Sequence, residues 1–162
     1  MHVELAAPTA EDTRAIGGAL APLLRRGDAV LLTGELGAGK TTFVQGVARA
    51  VGYEGQVASP TFTLVREYRA PRIRIVHADV YRLDRFQDVV DLGLHELAED
   101  GALLVEWGEA VETLFPSDRL LVELAMSGDG EERSVAIRGS GTAWAPRWER
   151  LEQAVEPWRA AA

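Results

Sequence analysis

Eight consecutive residues, Gly34-Glu35-Leu36-Gly37-Ala38-Gly39-Lys40-Thr41, have the spacing of a phosphate-binding loop: a glycine, four residues of any type, then Gly-Lys-Thr. They follow the apolar run Ala29-Val30-Leu31-Leu32 and precede a helical pattern from Lys40 to about Val51, the strand–loop–helix setting that such a loop needs. Glycines let the backbone turn tightly and aim successive N–H groups inward, forming a concave anion site. The next helix presents its N-terminus, about half a positive charge, to the same place. Of the 17 basic residues only Lys40 is lysine; the rest are arginine. A compact ammonium on a flexible stem reaches the β- and γ-phosphates of a nucleotide, whereas arginine's planar fork does not substitute for it. Thr41 offers a hydroxyl ligand to Mg²⁺, and Thr42 could bond the α-phosphate.

Mg²⁺ takes oxygen ligands in an octahedron and keeps several waters. Two carboxylates stand where one could be completed. Asp79 ends the run Ile73-Arg74-Ile75-Val76-His77-Ala78, and Glu106 ends Ala102-Leu103-Leu104-Val105. Ligands of open α/β sheets bind at the carboxyl ends of strands. The expectation is that Glu106 serves the metal or its water and that Asp79 is a second polar contact near the γ-phosphate; the alternative is that either caps a turn or pairs with an arginine. Ser59-Pro60-Thr61 reads as a turn, and Thr61 in it as a sensor of the γ-phosphate. His77, alone on its strand, reads as a packing residue, and His2 and His95 lack metal-ligand spacing.

The elements that must hold these groups are legible from periodicity. His2 to Leu5 forms a short strand, and Thr9 to about Arg25 a helix with Ile16, Leu20, Leu23 and Leu24 on one face. Leu64 to Tyr68 and Ile73 to Ala78 form two strands around a turn at Ala70-Pro71. Phe86 to Leu97 is helical with an interruption near Gly93. Leu120 to Leu124 and Ser134 to Ile137 flank Ser127-Gly128-Asp129-Gly130 as a hairpin. Pro146 to Glu156 forms a last helix, and Trp144, Trp148, Leu151 and Val155 recur as its core-facing stripe. Strands alternating with helices predict an α/β fold: a P-loop NTPase-like three-layer sandwich whose central, mostly parallel sheet is extended by antiparallel strands.

Composition sets bounds. A chain of 162 residues without cysteine predicts a single domain spanning 1–162, with no disulfide or thiolate metal site. Hydrophobic residues at 47% and charged residues at 26% are ordinary for a globular protein. No apolar run approaches a membrane span, and no basic segment followed by an apolar stretch opens the chain. The expectation is a cytoplasmic protein without membrane contact. A net charge of -8 argues against a broad electrostatic face for nucleic acid, so any RNA connection is expected to run through a partner protein.

Four blocks together resemble one family. They are the loop Gly34 to Thr42, then Ser59-Pro60-Thr61-Phe62-Thr63-Leu64-Val65, then His77-Ala78-Asp79-Val80-Tyr81-Arg82-Leu83, then Val105-Glu106-Trp107. In this order they are similar to TsaE (YjeE), the bacterial P-loop ATPase family of tRNA threonylcarbamoyladenosine biosynthesis. The loop alone is shared by many families; the second and third blocks together are specific. The resemblance implies ATP and Mg²⁺ as cofactors, a TsaB–TsaD complex as partner, and an ATP cycle that supports threonylcarbamoylation of adenosine 37 by TsaD. It implies that Lys40 binds phosphate, that Thr41 and Glu106 serve Mg²⁺, and that Asp79 and Thr61 act near the γ-phosphate. It places Trp107 at the same site and brings Arg133 of the late hairpin toward the nucleotide. Glu35 and Ala78 stand where the family commonly has other residues, and neither change removes a functional group. Arg66, Arg82 and Arg85 are candidates for a cationic finger within the chain. The rival readings are a small-molecule kinase, a binding module that uses nucleotide only to shape a docking surface, and a guanine-nucleotide switch. The last usually needs an Asn-Lys-x-Asp block, and this chain has no asparagine.

Overall fold

The computed structural model describes residues 1–60, 64–81, 83, 85–115 and 117–162. One seven-stranded sheet organises it. The strands are β1 (His2–Ala7), β2 (Ala29–Thr33), β3 (Val65–Tyr68), β4 (Ile75–Asp79), β5 (Ala102–Glu106), β6 (Arg119–Met126) and β7 (Arg133–Gly139). Their spatial order is β1-β7-β6-β2-β5-β4-β3. The four central strands β6, β2, β5 and β4 run parallel, while β3 at one edge and β7 and β1 at the other pair antiparallel. The α/β fold expected from sequence is therefore present. "Mostly parallel" describes the centre only, since the hairpin and the first strand make one whole flank antiparallel.

Side chains alternate across the strands and build two cores. Val30, Leu32, Ile75 and Leu104 face one side, where they meet α1 (Ala10–Leu20), α2 (Lys40–Ala50) and α5 (Trp148–Val155) through Ile16, Phe43, Val47 and Leu151. Ala29, Leu31, Val76 and Val105 face the other, where they meet α3 (Phe86–Asp91), α4 (Leu94–Ala98) and a 3₁₀ helix at Gly108–Leu114. Over β1 and β7 that second face has no such cover among the described residues: β1 alternates strictly between exposed and buried positions, with His2, Glu4 and Ala6 outward. The domain has three layers over its parallel half and two over its antiparallel half.

Local chemistry explains where elements begin and end. Thr9 caps α1 with a reciprocal pair of bonds: its hydroxyl accepts from the Asp12 amide at 3.2 Å, and the Asp12 carboxylate accepts from the Thr9 amide at 3.1 Å. The expected continuation to Arg25 fails because Pro22 has no N–H to give the ladder; the chain tightens into a 3₁₀ turn at Ala21–Leu23. The interruption near Gly93 is present, and Gly93, at φ 65°, separates α3 from α4. Helices α1 and α2 cross closely because both contact positions are glycine: a Cβ on Gly17 would stand 2.3 Å from the Phe43 carbonyl oxygen, and one on Gly46 1.8 Å from that of Arg14. This crossing brings the first turn of α1 against the head of α2.

The tail is locked to the body. Trp144, Trp148, Leu151 and Val155 are all buried, as their spacing predicts. Arg147, only 3% exposed, forms a bidentate pair with Asp28 at 2.7 and 2.9 Å, donates to the carbonyls of Leu23 and Ala143, and stacks 3.7 Å from the Trp144 ring centre. Removing one partner of such a pair leaves a buried charge without its counterion. Arg147→Ala is expected to lower stability by about 3–5 kcal/mol in urea denaturation. A loss under about 1 kcal/mol would mean that the pair is not what fastens the tail.

Candidate functional site

The loop after β2 folds back on the sheet as its glycines allow. Gly34 has φ 141°, and a Cβ there would stand 2.3 Å from the Leu124 carbonyl oxygen, so only glycine fits between β2 and β6. Helix α2 then starts with Gly39 at its N-cap and no side-chain cap. The first bond of its ladder is from the Phe43 amide to the Gly39 carbonyl at 2.9 Å, which leaves the amides of Lys40, Thr41 and Thr42 directed outward. No acidic side chain occupies this first turn, in contrast to α1, where Glu11 and Asp12 do.

These amides open onto a cleft of about 600 Å³. The loop residues Leu36, Gly37, Ala38, Gly39, Lys40, Thr41 and Thr42 line it. Gly34 and Glu35 do not; they lie behind the loop and face Lys40 with their carbonyls. The loop side chains do not plug the cleft: Leu36 is 77% exposed, and Ala38 is buried beneath the loop.

Lys40 is only 5% exposed. Its ammonium donates to the carbonyl of Gly34 and, at 3.1 Å, to that of Glu35, and rests 3.9 Å above the centre of the Trp107 ring. Burial pulls its pKa below the ordinary lysine range, and the carboxylates of Glu106, Glu109 and Asp79 act in the opposite sense. Trp107 adopts φ 62°, a left-handed conformation uncommon outside glycine, and stacks on Tyr81 with ring centres 4.6 Å apart. The turn directly after β5 thus sets an aromatic wall beside the lysine.

The strand register brings the carboxylates together. Asp79 of β4 and Leu32 of β2 flank Glu106 of β5 directly, so both acids stand at the strand ends next to the loop. The Thr41 hydroxyl lies 3.0 and 2.9 Å from the two Glu106 carboxylate oxygens. Adjacent ligands of an octahedral Mg²⁺ bound at 2.0–2.1 Å are about 2.9 Å apart, so this pair has the spacing of two neighbouring corners. No cluster of three His, Asp or Glu that could cage a metal occurs among the described residues. Asp79 is 2% exposed, accepts from the Ser59 hydroxyl at 3.2 Å and from the Tyr81 amide at 2.9 Å, and lines the same end of the cleft. Thr61 lies outside the described residues, as does Arg82. Arg133 lines the cleft, but its guanidinium braces the loop, donating to the carbonyls of Ala38 and Gly37 at 3.0 Å each.

One residue read as packing belongs to the site. His77 is fully buried, and its Nε2 lies 2.5 Å from a Glu106 carboxylate oxygen while Nδ1 lies 2.9 Å from the Tyr68 hydroxyl. It holds Glu106 from behind while Thr41 meets it from the front. The strand period puts His77 and Asp79 on one face of β4, and the register with β5, which the sequence does not carry, puts Glu106 on that same face. Ala10 and Thr13 of α1, and Gly130 and Glu131 of the hairpin turn, also line the cleft. Nothing in their local pattern marked them.

The sequence model for "Threonylcarbamoyl adenosine biosynthesis protein TsaE" matches residues 7–135. Among curated proteins, the tRNA threonylcarbamoyladenosine biosynthesis protein TsaE of Bacillus subtilis is 38% identical over 144 residues, covering 88% of this chain and 89% of the relative. The protein of the same name from Streptomyces coelicolor is 41% identical over 140 residues, covering 82% and 93%. Among solved structures, the crystal structure of Bacillus subtilis YdiB superposes with a TM-score of 0.81 at 32% identity, covering 94% of this chain and 95% of the other.

The web behind Glu106 has a measurable acid–base signature. Burial pushes the Tyr68 hydroxyl up to about 12 from an ordinary 10.0. A group whose folded-state pKa is raised contributes stability that is complete below its unfolded pKa and is lost as pH rises through the folded one. Stability is therefore expected to fall between about pH 10 and 12 by up to about 2–3 kcal/mol from this residue. Tyr68→Phe should flatten that part of the curve in denaturation at graded pH; an unchanged slope would detach Tyr68 from it.

Proposed function

Because the chain belongs to the TsaE family, we propose that it binds Mg-ATP in the cleft at the head of α2 and hydrolyses it, in support of tRNA threonylcarbamoylation by a TsaB–TsaD complex. The observation that carries this reading is the conjunction of uncapped α2 amides, the buried Lys40 ammonium and the Thr41–Glu106 pair in one cleft. The amides of Lys40, Thr41 and Thr42 hold the β- and α-phosphates, and the Lys40 ammonium bridges toward the γ-phosphate. Thr41 and Glu106 hold Mg²⁺, which when bound neutralises charge developing on the phosphate oxygens. Asp79, fixed by Ser59 and the Tyr81 amide, orients the attacking water. The water oxygen bonds to the γ-phosphorus as the bond to the ADP oxygen breaks, and the products are ADP and inorganic phosphate. Thr61 is proposed as a γ-phosphate contact, on the strength of its place in the Ser-Pro-Thr block. Trp107 keeps the ammonium in place, and Arg133 keeps the loop open.

A partner is part of this reading. Neither Arg66 nor Arg85 lines the cleft, and the Arg133 guanidinium is spent on loop carbonyls. A cation supplied from outside is worth roughly 10³–10⁵ in rate to such enzymes. With a net charge of -8, the protein is expected to reach tRNA only through TsaB–TsaD, and among the described residues no helix is long and apolar enough to cross a membrane.

Phosphate release from ATP should be slow for the isolated chain and rise at least tenfold on adding TsaB–TsaD. Fast release alone with no gain from the partners contradicts the partner-dependent reading, and a phosphorylated metabolite in place of phosphate points to a kinase. Lys40→Ala should weaken Mg-ATP binding by about 10- to 100-fold in calorimetry, the worth of a charged hydrogen bond, with melting temperature retained. Wild-type affinity in that variant would remove Lys40 from the site.

A further inference from the structure

A line of buried polar side chains crosses three strands and stops on Glu106. The Tyr68 hydroxyl on β3 lies 2.9 Å from Nδ1 of His77 on β4, and Nε2 of the same ring lies 2.5 Å from the Glu106 carboxylate on β5. All three residues are buried, His77 completely. Packing alone does not call for polar groups here. A buried hydrogen-bonded pair replaced on both sides by apolar groups of the same shape costs little and can even stabilise. Phenylalanine for Tyr68 and leucine for His77 would fill much the same space. What distinguishes the line is its end point, an acid that the Thr41 hydroxyl meets from the side of the cleft.

The direction of the bonds follows from what each atom can give. A carboxylate only accepts, so Nε2 of His77 carries the ring hydrogen and donates to Glu106. In that tautomer Nδ1 holds a lone pair and must accept. The Tyr68 hydroxyl has one hydrogen and faces two acceptors, Nδ1 and, at 3.3 Å, the Ala58 carbonyl. The nearer acceptor is also the one that the Glu106 bond leaves bare. Donation therefore runs from Tyr68 to His77 and from His77 to Glu106. Burial pushes the Tyr68 hydroxyl up to about 12, so it keeps its hydrogen throughout the neutral range. The tyrosine is itself held: its ring lies against Tyr53 with centres 4.9 Å apart, and its backbone pairs with Ile75 across β3 and β4. Tyr68 thus fixes how the imidazole is turned, and the imidazole fixes how the carboxylate is turned.

We propose that Tyr68 is a positioning residue which, acting through His77, orients the Glu106 carboxylate to receive a divalent cation. This rests on the reading of Thr41 and Glu106 as the cation pair of a nucleotide site. Groups that hydrogen-bond a metal ligand from behind fix its orientation and basicity, and losing one weakens metal binding although it never touches the ion. Tyr68 stands one bond further out than that, so its effect must pass through the imidazole.

The test reads what the cation adds to binding. ADP is titrated into the full chain by calorimetry, once in saturating Mg²⁺ and once in EDTA, and the ratio of the two affinities is compared between variants. Tyr68→Phe keeps the ring and removes the hydroxyl. It is expected to lower the ratio roughly 3- to 10-fold, the worth of one neutral hydrogen bond, with affinity in EDTA within about twofold of wild type. His77→Leu should lose at least as much, and His77→Gln, which keeps an N–H for Glu106, should recover part of it. Adding Tyr68→Phe to His77→Leu should cost nothing further, because the hydroxyl then has no imidazole to act through. An unchanged ratio in Tyr68→Phe overturns the proposal and leaves the nucleotide site standing. An equal loss in Mg²⁺ and in EDTA overturns it as well, since the cleft as a whole would then be disturbed, and so do additive losses in the double variant. A wild type that binds ADP equally in both media takes the cation away from Glu106 and the proposal with it. If the wild type binds ADP in neither, the nucleotide reading itself fails.

Discussion

The head of α2 is a helix end that the protein itself leaves unfinished. Three amides there point away from any partner among the described residues, and none of those residues caps them with a side chain. Helix α1, a short distance away, shows how readily this sequence closes such an end, with Thr9 and Asp12 bonding each other's backbone. The difference follows from residue type. Gly39 brings no side-chain oxygen, and the residues after it are a lysine and two threonines rather than acids. Every other feature of the cleft answers to this opening. Gly34 lets the loop lie flat against β6, Arg133 ties its carbonyls outward, and Lys40 turns its charge along its inner edge.

Around that opening the charged groups are held by neighbours instead of by water. Glu106 is 3% exposed and touches Thr41 on α2 and His77 on β4. Asp79 is tied by Ser59 and by the amide of Tyr81. Each acid thus has contacts that fix its direction before any ligand arrives, which is what a preorganised electrostatic site requires. The left-handed Trp107 belongs to the same logic: a strained turn after β5 sets an indole against the one lysine of the chain.

Much of this was legible in the sequence, and the failures have causes. The loop, the order of strands and helices, and the burial of Trp144, Trp148, Leu151 and Val155 follow from spacing and periodicity alone. Asp79 and Glu106 could be placed at strand ends, but that they stand side by side is a matter of register between β4 and β5, which no local pattern encodes. His77 was weighed as a single residue on a strand, so its pairing with a glutamate 29 positions away was out of reach. Gly34 and Glu35 match the loop pattern, yet their carbonyls serve Lys40 from behind, because a motif gives order and not direction. Thr13 and Ala10 reach the cleft only because two glycines let α1 and α2 cross closely.

The Asp28–Arg147 clamp has a consequence for how the protein is made. Its two halves are 119 residues apart, and at about 5–20 residues per second the ribosome needs roughly 6–24 seconds to deliver the second after the first. During that interval the loop and every strand of the sheet have been translated, but the apolar face that α5 covers is bare and Asp28 has no counterion. The clamp can therefore close only after α5 has been translated and has cleared the exit tunnel, and until then that face waits uncovered.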